Sequence, residues 1–168
     1  MRPKFVVPEV NHSFINAQPM KNGHWKFNRQ MGLNKTFGFV YLIENTVDNK
    51  LYIGKKQYRG TGAINAGKPS NWAKYTGSCD LLNFHIKDYG KECFNFICLG
   101  EYQTKVGLHW AEVWSLVVVE SPSYPDIWYN SFIERVFIKG KEKVSIEHRS
   151  SLSGYMPKYN QINELEVL

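Results

Sequence analysis

The spacing of apolar and polar positions predicts a β-hairpin in the first third of the chain. Residues from Thr36 to Ile43 alternate loosely and are rich in β-branched and aromatic side chains, which is typical of a strand. A second short apolar run extends from Leu51 to Gly54. The segment between the two runs contains Asp48 and Asn49, residue types that favour turns. The two strands are therefore expected to pair antiparallel.

A long loop and a helix follow the hairpin. The stretch "YRGTGAINAGKPSN", residues 58–71, is rich in glycine and lacks helical or strand periodicity; long ordered loops in small domains are often functional. Ser78 is a suitable N-cap for the next helix, and Leu82, Ile86 and Tyr89 share one of its faces. Gly90 then provides a C-terminal stop.

The remaining elements are a third strand, "FNFICLGEY", and a helix that Thr104 caps and that continues to about Glu120. This order predicts an α/β (α+β) layer with a small central antiparallel or mixed three-stranded sheet flanked by helices. Residues 36–140 form the predicted domain. Residues 1–35 form a basic and aromatic N-terminal extension, and residues 141–168 form a C-terminal extension or tail. The segment "FIERVFIKG" is expected to be a strand or an edge segment.

The distribution of charged residues bears on which kind of partner the protein binds. The 168-residue chain has a formal net charge of +6, and residues 49–74 contain six Lys or Arg and no Asp or Glu. This is compatible with nucleic acid, although a solvated basic face explains it equally well. The three cysteines lack the spacing of a metal site, and no apolar run is long enough to span a membrane. The expectation is a soluble, cytoplasmic protein without membrane contact.

Glu112 is the first candidate for chemistry, because it lies in the middle of the apolar stretch "VGLHWAEVWSLVVV". A carboxylate there is unfavourable unless it is paired, reaches a polar strip, or binds a metal. A structural pairing, for instance with a lysine, and a role as a hard oxygen ligand for Mg²⁺ are both open from spacing alone.

Tyr41 and Tyr52 are the second candidates. Strand tyrosines are usually packing residues, but two phenols on paired strands that face one cleft could orient a water and a phosphate. Lys55, Lys56 and Arg59 follow at once and could offset the charge of a phosphodiester.

These residues together resemble the GIY-YIG nuclease superfamily. Tyr52-Ile53-Gly54 is a literal YIG element, Phe39-Val40-Tyr41 is a degenerate GIY element, and the two tyrosines are eleven residues apart. Further along, a helix with Glu112 and the "WYN" that contains Asn130 occupy the family's Glu and Asn places in order. The resemblance covers roughly residues 37–139, and the ordered set of motifs looks like a subgroup of small phage-encoded endonucleases.

The resemblance implies a metal-dependent DNA endonuclease that hydrolyses phosphodiester bonds, with Mg²⁺ or Mn²⁺ held by Glu112. Tyr41 and Tyr52 would position or deprotonate the attacking water, Lys56 would offset negative charge, and Asn130 would hold the site's geometry or a phosphate oxygen. The predicted nucleic-acid-binding residues are Lys55, Arg59, Lys68, Trp72 and Lys74. DNA is the expected partner, with a second copy of the chain as a further one, in the bacterial host's cytoplasm.

One departure keeps an alternative open. The family usually places an arginine on the helix after YIG, and no arginine stands in the corresponding "NWAKY". Lys56, Arg59 or Lys74 would have to supply the charge, but lysine lacks the bidentate fork of arginine. The leading hypothesis is a homing-like, restriction-like or host-DNA-degrading endonuclease. The alternative is a weakened or inactive scaffold that acts as a nucleic-acid-binding or inhibitor protein, and a purely structural phage protein is a third.

Overall fold

The computed structural model describes residues 22–28, 35–133 and 143–155. One mixed sheet has the strand order β1-β4-β2-β3. The strands are β1 (Lys26–Phe27), β2 (Gly38–Asn45), β3 (Leu51–Gln57) and β4 (Phe94–Tyr102). The helices are α1 (Asp80–Tyr89), α2 (Lys105–Val118) and α3 (Ile146–Leu152). The mixed α/β class predicted from the sequence is confirmed.

The predicted hairpin is confirmed as the antiparallel pair β2–β3, whose register runs from Gly38 opposite Gln57 to Glu44 opposite Leu51. Its turn is closed by the Asn45 N–H, which donates to the Lys50 carbonyl at 2.8 Å. The Lys50 N–H in turn donates to the Asp48 carboxylate at 3.0 Å. These bonds explain why the short polar linker fixes the register of both strands.

Within the described residues the sheet has four strands, so the predicted count of three was wrong. The additional strand, β1, lies in the predicted N-terminal extension and pairs parallel with β4, placing Lys26 beside Ile97 and Phe27 beside Cys98. A two-residue strand carries no readable alternation, and its partner is about seventy residues away along the chain. Only the folded chain brings the two segments together.

The two faces of the sheet bury different sets of side chains, because successive strand residues point to opposite sides. One face packs against α2 and the C-terminal segment and is mainly aliphatic; its members include Val40, Leu42, Ile53, Ile97, Leu99 and Leu108. The other face is mainly aromatic, with Phe39, Tyr41, Tyr52, Phe96, Trp25 and Trp72. Tyr41 and Tyr52 therefore both lie on the aromatic side.

The helix ends agree with the sequence in most places. The Thr104 side chain accepts a hydrogen bond from the Gly107 N–H at 2.9 Å and caps α2 as predicted. The helix ends at Val118, two residues before the predicted end. Gly90 follows α1 with a φ of 87°, as expected for a glycine stop. The N-cap of α1 is Cys79 and not Ser78.

The C-terminal segment packs on β4 through a buried histidine. His148 is fully buried, and its Nδ1 lies 2.6 Å from the Tyr102 hydroxyl. Its Nε2 lies 2.9 Å from the Ser115 hydroxyl of α2. Residues 143–155, part of the predicted C-terminal extension, thus contribute to the core. The rest of that extension, most of the N-terminal one, and residues 134–140 of the predicted edge segment lie outside the described residues.

Burial of this histidine makes stability sensitive to acid. Burial lowers the pKa of His148 from 6.5 to about 3. As the pH falls below 6.5, this histidine becomes protonated in the unfolded chain, whereas in the folded protein it is protonated only near pH 3. The free energy of unfolding is therefore highest above pH 6.5 and decreases as the pH falls. Between pH 6.5 and 5 we expect a loss of about 2 kcal/mol, at about 1.4 kcal/mol per unit.

Urea unfolding of the wild type and His148→Gln at pH 7 and pH 5 measures this effect. The variant is expected to lose less stability over the interval than the wild type does. Burial also lowers the pKa of His24, to about 4, but that group is present in both proteins and cancels in the comparison. Equal pH slopes for the two proteins would contradict the assignment to His148.

No helix in the described parts of the chain combines the length and apolar character needed to span a membrane.

Candidate active site

The site is built around Gly54 on β3, an edge strand of the sheet. Gly54 lies directly opposite Tyr41 in the β2–β3 register. A Cβ atom at position 54 would overlap the hydroxyl and ring carbons of Tyr41. The glycine of the YIG element is therefore required by the close approach of a buried phenol, and it leaves the Tyr41 hydroxyl lying against the β3 backbone.

The two tyrosines lie side by side on the aromatic face, with ring centroids 6.2 Å apart. The Tyr52 hydroxyl lies 3.2 Å from the Ser78 hydroxyl, just before α1. Burial raises the pKa of Tyr41 well above its ordinary value, and burial also raises the pKa of Tyr52. Both side chains are therefore neutral phenols at neutral pH.

Glu112 approaches from the opposite side of the sheet. The helix α2 packs on the aliphatic face, and the Glu112 side chain, 13% exposed, pairs with the ammonium group of Lys55. Because β3 is an edge strand of the sheet, groups from both faces meet at its edge. They line a cavity of about 190 Å³ whose walls include Tyr52, Ser78, Cys79, Glu112, Leu116 and Asn130.

Asn130 binds the edge of β3 as a neighbouring strand would. Its side-chain oxygen accepts from the Ile53 N–H at 2.8 Å, and its side-chain nitrogen donates to the Ile53 carbonyl at 2.8 Å. Just before it, the Tyr129 N–H donates to the Leu51 carbonyl at 2.8 Å. The amide thus holds the strand segment between Tyr52 and Gly54, so this arrangement favours the geometry-holding role over phosphate contact.

The predicted cations are divided between the two faces. Lys55 points to the Glu112 side. Lys56 points to the aromatic side, where its Nζ lies 3.9 Å from the ring centroid of Tyr75, and burial lowers its pKa. Neither Lys55 nor Lys56 is among the residues that line the cavity, although the resemblance implies a charge-offsetting role for Lys56. Arg59, Lys68 and Lys74 are exposed beyond the end of β3.

Trp72 does not occupy the position expected of a residue that stacks on bases. Its side chain is buried, with edge-on contacts to Tyr58 at 5.0 Å and Phe39 at 6.1 Å between ring centroids. Its carbonyl accepts a hydrogen bond from the Trp25 indole at 2.7 Å. A buried ring offers no face to a nucleic acid, so Trp72 belongs to the aromatic core.

The donor set allows a metal with few protein ligands. Within residues 22–28, 35–133 and 143–155, no three His, Cys, Asp or Glu side chains cluster as a metal cage would require. Glu112 offers one carboxylate beside a cavity with room for waters. Mg²⁺ commonly binds through one or two carboxylates plus waters and substrate phosphates. The residues present therefore fit Mg²⁺ or Mn²⁺ better than a metal such as structural zinc, which needs four ligands.

Sequence reasoning missed two members of the site. Ser78 was expected to be a helix cap, and Tyr75, edge-on to Tyr41 at 6.3 Å, received no role. Lys55, expected to bind nucleic acid, is the direct partner of Glu112. The alternation of β3 carried part of this signal, because it separates Lys55 from Tyr52 and Lys56. It does not say which face the glutamate helix covers.

Comparison with known proteins gives two matches. The family described as "Putative endonuclease segE, GIY-YIG domain" matches residues 23–133, about two thirds of the chain. Endonuclease segA of Enterobacteria phage T4 is 38% identical over 69 residues, which are 41% of this chain and 27% of the phage protein. The chain thus matches only about a quarter of that relative's length. No solved structure matches the chain at a significant level.

Proposed function

The chain belongs to the segE family of GIY-YIG domains, and on that premise we propose that it is a metal-dependent endonuclease that hydrolyses phosphodiester bonds in DNA. One observation carries the proposal: Tyr52, Glu112 and Asn130, which are far apart in sequence, line a single cavity, with Tyr41 packed against Tyr52. Packing alone does not explain why a carboxylate, a phenol and a lysine lie together at one strand edge. The homing-like, restriction-like and host-DNA-degrading roles all use this same chemistry.

Glu112 would hold Mg²⁺ or Mn²⁺, and the bound ion would polarise the scissile phosphate and stabilise the leaving oxygen. Tyr52 would orient the attacking water through its hydroxyl, which Ser78 holds from the side of α1. Tyr41 would fix the Tyr52 phenol by packing against its ring. Asn130 would keep the intervening backbone in place.

Lys55 would have two positions during turnover. Its ammonium group pairs with Glu112 in the structure, so a metal ion at that carboxylate must compete with it. Once released, the ammonium would lie beside the cavity, where it could offset charge on the phosphate. We therefore assign to Lys55, in preference to Lys56, the charge that the family's arginine usually supplies.

The variant Lys55→Gln tests this assignment. Its maximal cleavage rate is expected to fall about 100-fold, as is typical when one preorganised electrostatic contact is removed. Less Mg²⁺ should be needed for half-maximal rate, since no ammonium group competes for Glu112. A Mg²⁺ titration of the cleavage rate measures both effects. Lys55→Arg is the charge-retaining control. A variant that needs more Mg²⁺ than the wild type contradicts the competition.

Cleavage of supercoiled plasmid tests the proposed function itself. The wild-type protein is expected to produce nicked or linear DNA with Mg²⁺ or Mn²⁺, and none in EDTA. DNA binding is measured in parallel by mobility shift at low salt, where electrostatic binding is strongest. Binding without cleavage in either metal would overturn the enzyme assignment.

Binding without cleavage is the result expected of the second candidate function, a nucleic-acid-binding or inhibitor protein on a nuclease scaffold. The observation that favours it is the pairing of Glu112 with Lys55, which occupies the carboxylate. In addition, Arg59 is the one arginine among residues 35–133, and its Nη1 donates to the Gly67 carbonyl at 2.9 Å, in the loop beyond β3.

A further inference from the structure

The glycine-rich loop forms an ordered arm beyond the end of β3. We call residues 59–69 the basic arm. All of them except the half-exposed Gly60 are exposed. The arm is nevertheless held by its own backbone: the Gly60 N–H donates to the Lys68 carbonyl at 2.9 Å, and the Gly67 N–H donates to the Gly60 carbonyl at 3.0 Å. A segment that is bonded internally but buries almost none of its side chains contributes little to the core.

An apolar side chain stands at the tip of this arm. The Asn65 N–H donates to the Gly62 carbonyl at 2.9 Å, which closes a four-residue turn with Ala63 and Ile64 at its centre. Ile64 is 83% exposed, the highest exposure among the large apolar side chains of the described residues. Exposure of a β-branched aliphatic side chain at a turn centre is unfavourable in water and is not offset by any packing here.

Positive charge surrounds the base of the arm. Arg59 and Lys68 lie on its two sides, and the Arg59–Pro69 bridge joins those sides. No Asp or Glu occurs between residues 49 and 79. The surface around the arm is therefore complementary to a polyanion, and a protein partner with ordinary mixed charge would gain less from it.

We propose that the basic arm enters the minor groove of duplex DNA, with Arg59 and Lys68 against the phosphates and Ile64 as a wedge between base pairs. Proteins that bend DNA from the minor groove combine basic side chains with one inserted apolar residue in this way. The inference rests on the proposed function, since it supplies the DNA contact of the same site.

The position of the arm suits that role. The strand β3 carries Tyr52 and ends at Gln57, and Tyr58 connects it to the arm. Six residues of strand span about 20 Å at about 3.3 Å per residue. That distance corresponds to about six base pairs. One duplex could therefore contact the cavity and the arm together.

A ligation assay for DNA unwinding tests the wedge without knowledge of the target sequence. Nicked plasmid is bound by a Glu112→Gln protein, which keeps the DNA uncut, and is sealed with ligase and deproteinised. Insertion between base pairs unwinds the duplex and shifts the topoisomer distribution. Ile64→Ala in the same background is expected to lose at least half of that shift. Ile146→Ala is the matched control, because Ile146 is 79% exposed on α3.

The salt dependence of DNA binding tests the proposed contact between Lys68, at the base of the arm, and a phosphate. Lys68→Gln is expected to reduce the slope of log affinity against log salt by about 0.9, the value for one lost phosphate contact. Lys143→Gln is the control, because Lys143 is also exposed but precedes α3 on the β4 side of the sheet.

The outcomes separate this inference from the proposed function. Loss of unwinding in Ile64→Ala but not Ile146→Ala, together with the lower salt slope of Lys68→Gln, supports the arm whether or not the wild type cuts DNA. Equal topoisomer shifts in the Ile64 and Ile146 variants overturn the wedge, and an unchanged slope in Lys68→Gln overturns the phosphate contact. Either negative result can occur with cleavage intact.

Discussion

Replacing Glu112 with glutamine is expected to reduce DNA cleavage by about 1000-fold, because the proposed metal loses the one carboxylate that the described residues place at the cavity. Loss of a metal's Lewis-acid contribution removes several kcal/mol of transition-state stabilisation, and each 1.4 kcal/mol is about tenfold in rate. Glutamine keeps the size of the side chain and an oxygen that can accept from Lys55. The fold and DNA binding should therefore change little, which single-turnover plasmid cleavage and a mobility shift can measure side by side.

The control for charge is Glu120→Gln, which also removes one negative charge. Glu120 lies two residues after the end of α2 and does not line the cavity. This variant should cleave at the wild-type rate. If Glu112→Gln retains more than a tenth of the wild-type rate, Glu112 is not the metal ligand. If Glu120→Gln is equally impaired, the effect of Glu112 is one of net charge and not of position.

Asn130→Ala is expected to destabilise the fold by about 2–3 kcal/mol, because it leaves both the N–H and the carbonyl of Ile53 without their partners. The strand edge beside Tyr52 and Gly54 then loses its clamp. Cleavage should fall even at temperatures where the variant is fully folded, since a displacement of about 1 Å in a reacting group is enough to cost about 100-fold. Urea unfolding and cleavage at low temperature separate the two effects.

Asn130→Asp sharpens the test because the new side chain differs from asparagine by one donor. Its carboxylate can still accept from the Ile53 N–H, but its second oxygen then faces the Ile53 carbonyl without a proton between them. The folded-state pKa of the introduced carboxyl group should consequently be raised, so the variant is expected to recover stability relative to the wild type as the pH falls from 7 to 4. An Asn130→Asp protein as stable as the wild type at pH 7 would show that the amide donor is unimportant.

Several features could be predicted because they depend on neighbours in sequence. The hairpin required two apolar runs and the turn residues between them, and the α2 cap required a threonine before an apolar periodic segment. The family motif fixed the order of Tyr41, Tyr52, Glu112 and Asn130. In each case the interaction that creates the feature spans few residues, or the motif itself records it.

Other features could not be predicted because their partners are distant. Pairing of β1 with β4 joins segments about seventy residues apart through only two residues on each side. Trp72 has basic neighbours in sequence but aromatic neighbours in space, where Tyr58, Phe39 and Trp25 enclose it. Local charge therefore suggested nucleic-acid contact, and the packing of the aromatic face assigned the ring to the core.

The sequence alone determined the strands β2, β3 and β4, the helices α1 and α2, their order, and the identities of the groups available for chemistry. The tertiary structure decided how those groups are distributed between the two faces of the sheet. It places both tyrosines on the aromatic face and Glu112 on the other, so they can meet only at the open edge of β3, where Asn130 holds the backbone. It also pairs Glu112 with Lys55 and directs Lys56 to Tyr75. The physical reason is that strand alternation fixes which residues share a face, whereas the position of a helix over that face depends on packing across the whole chain.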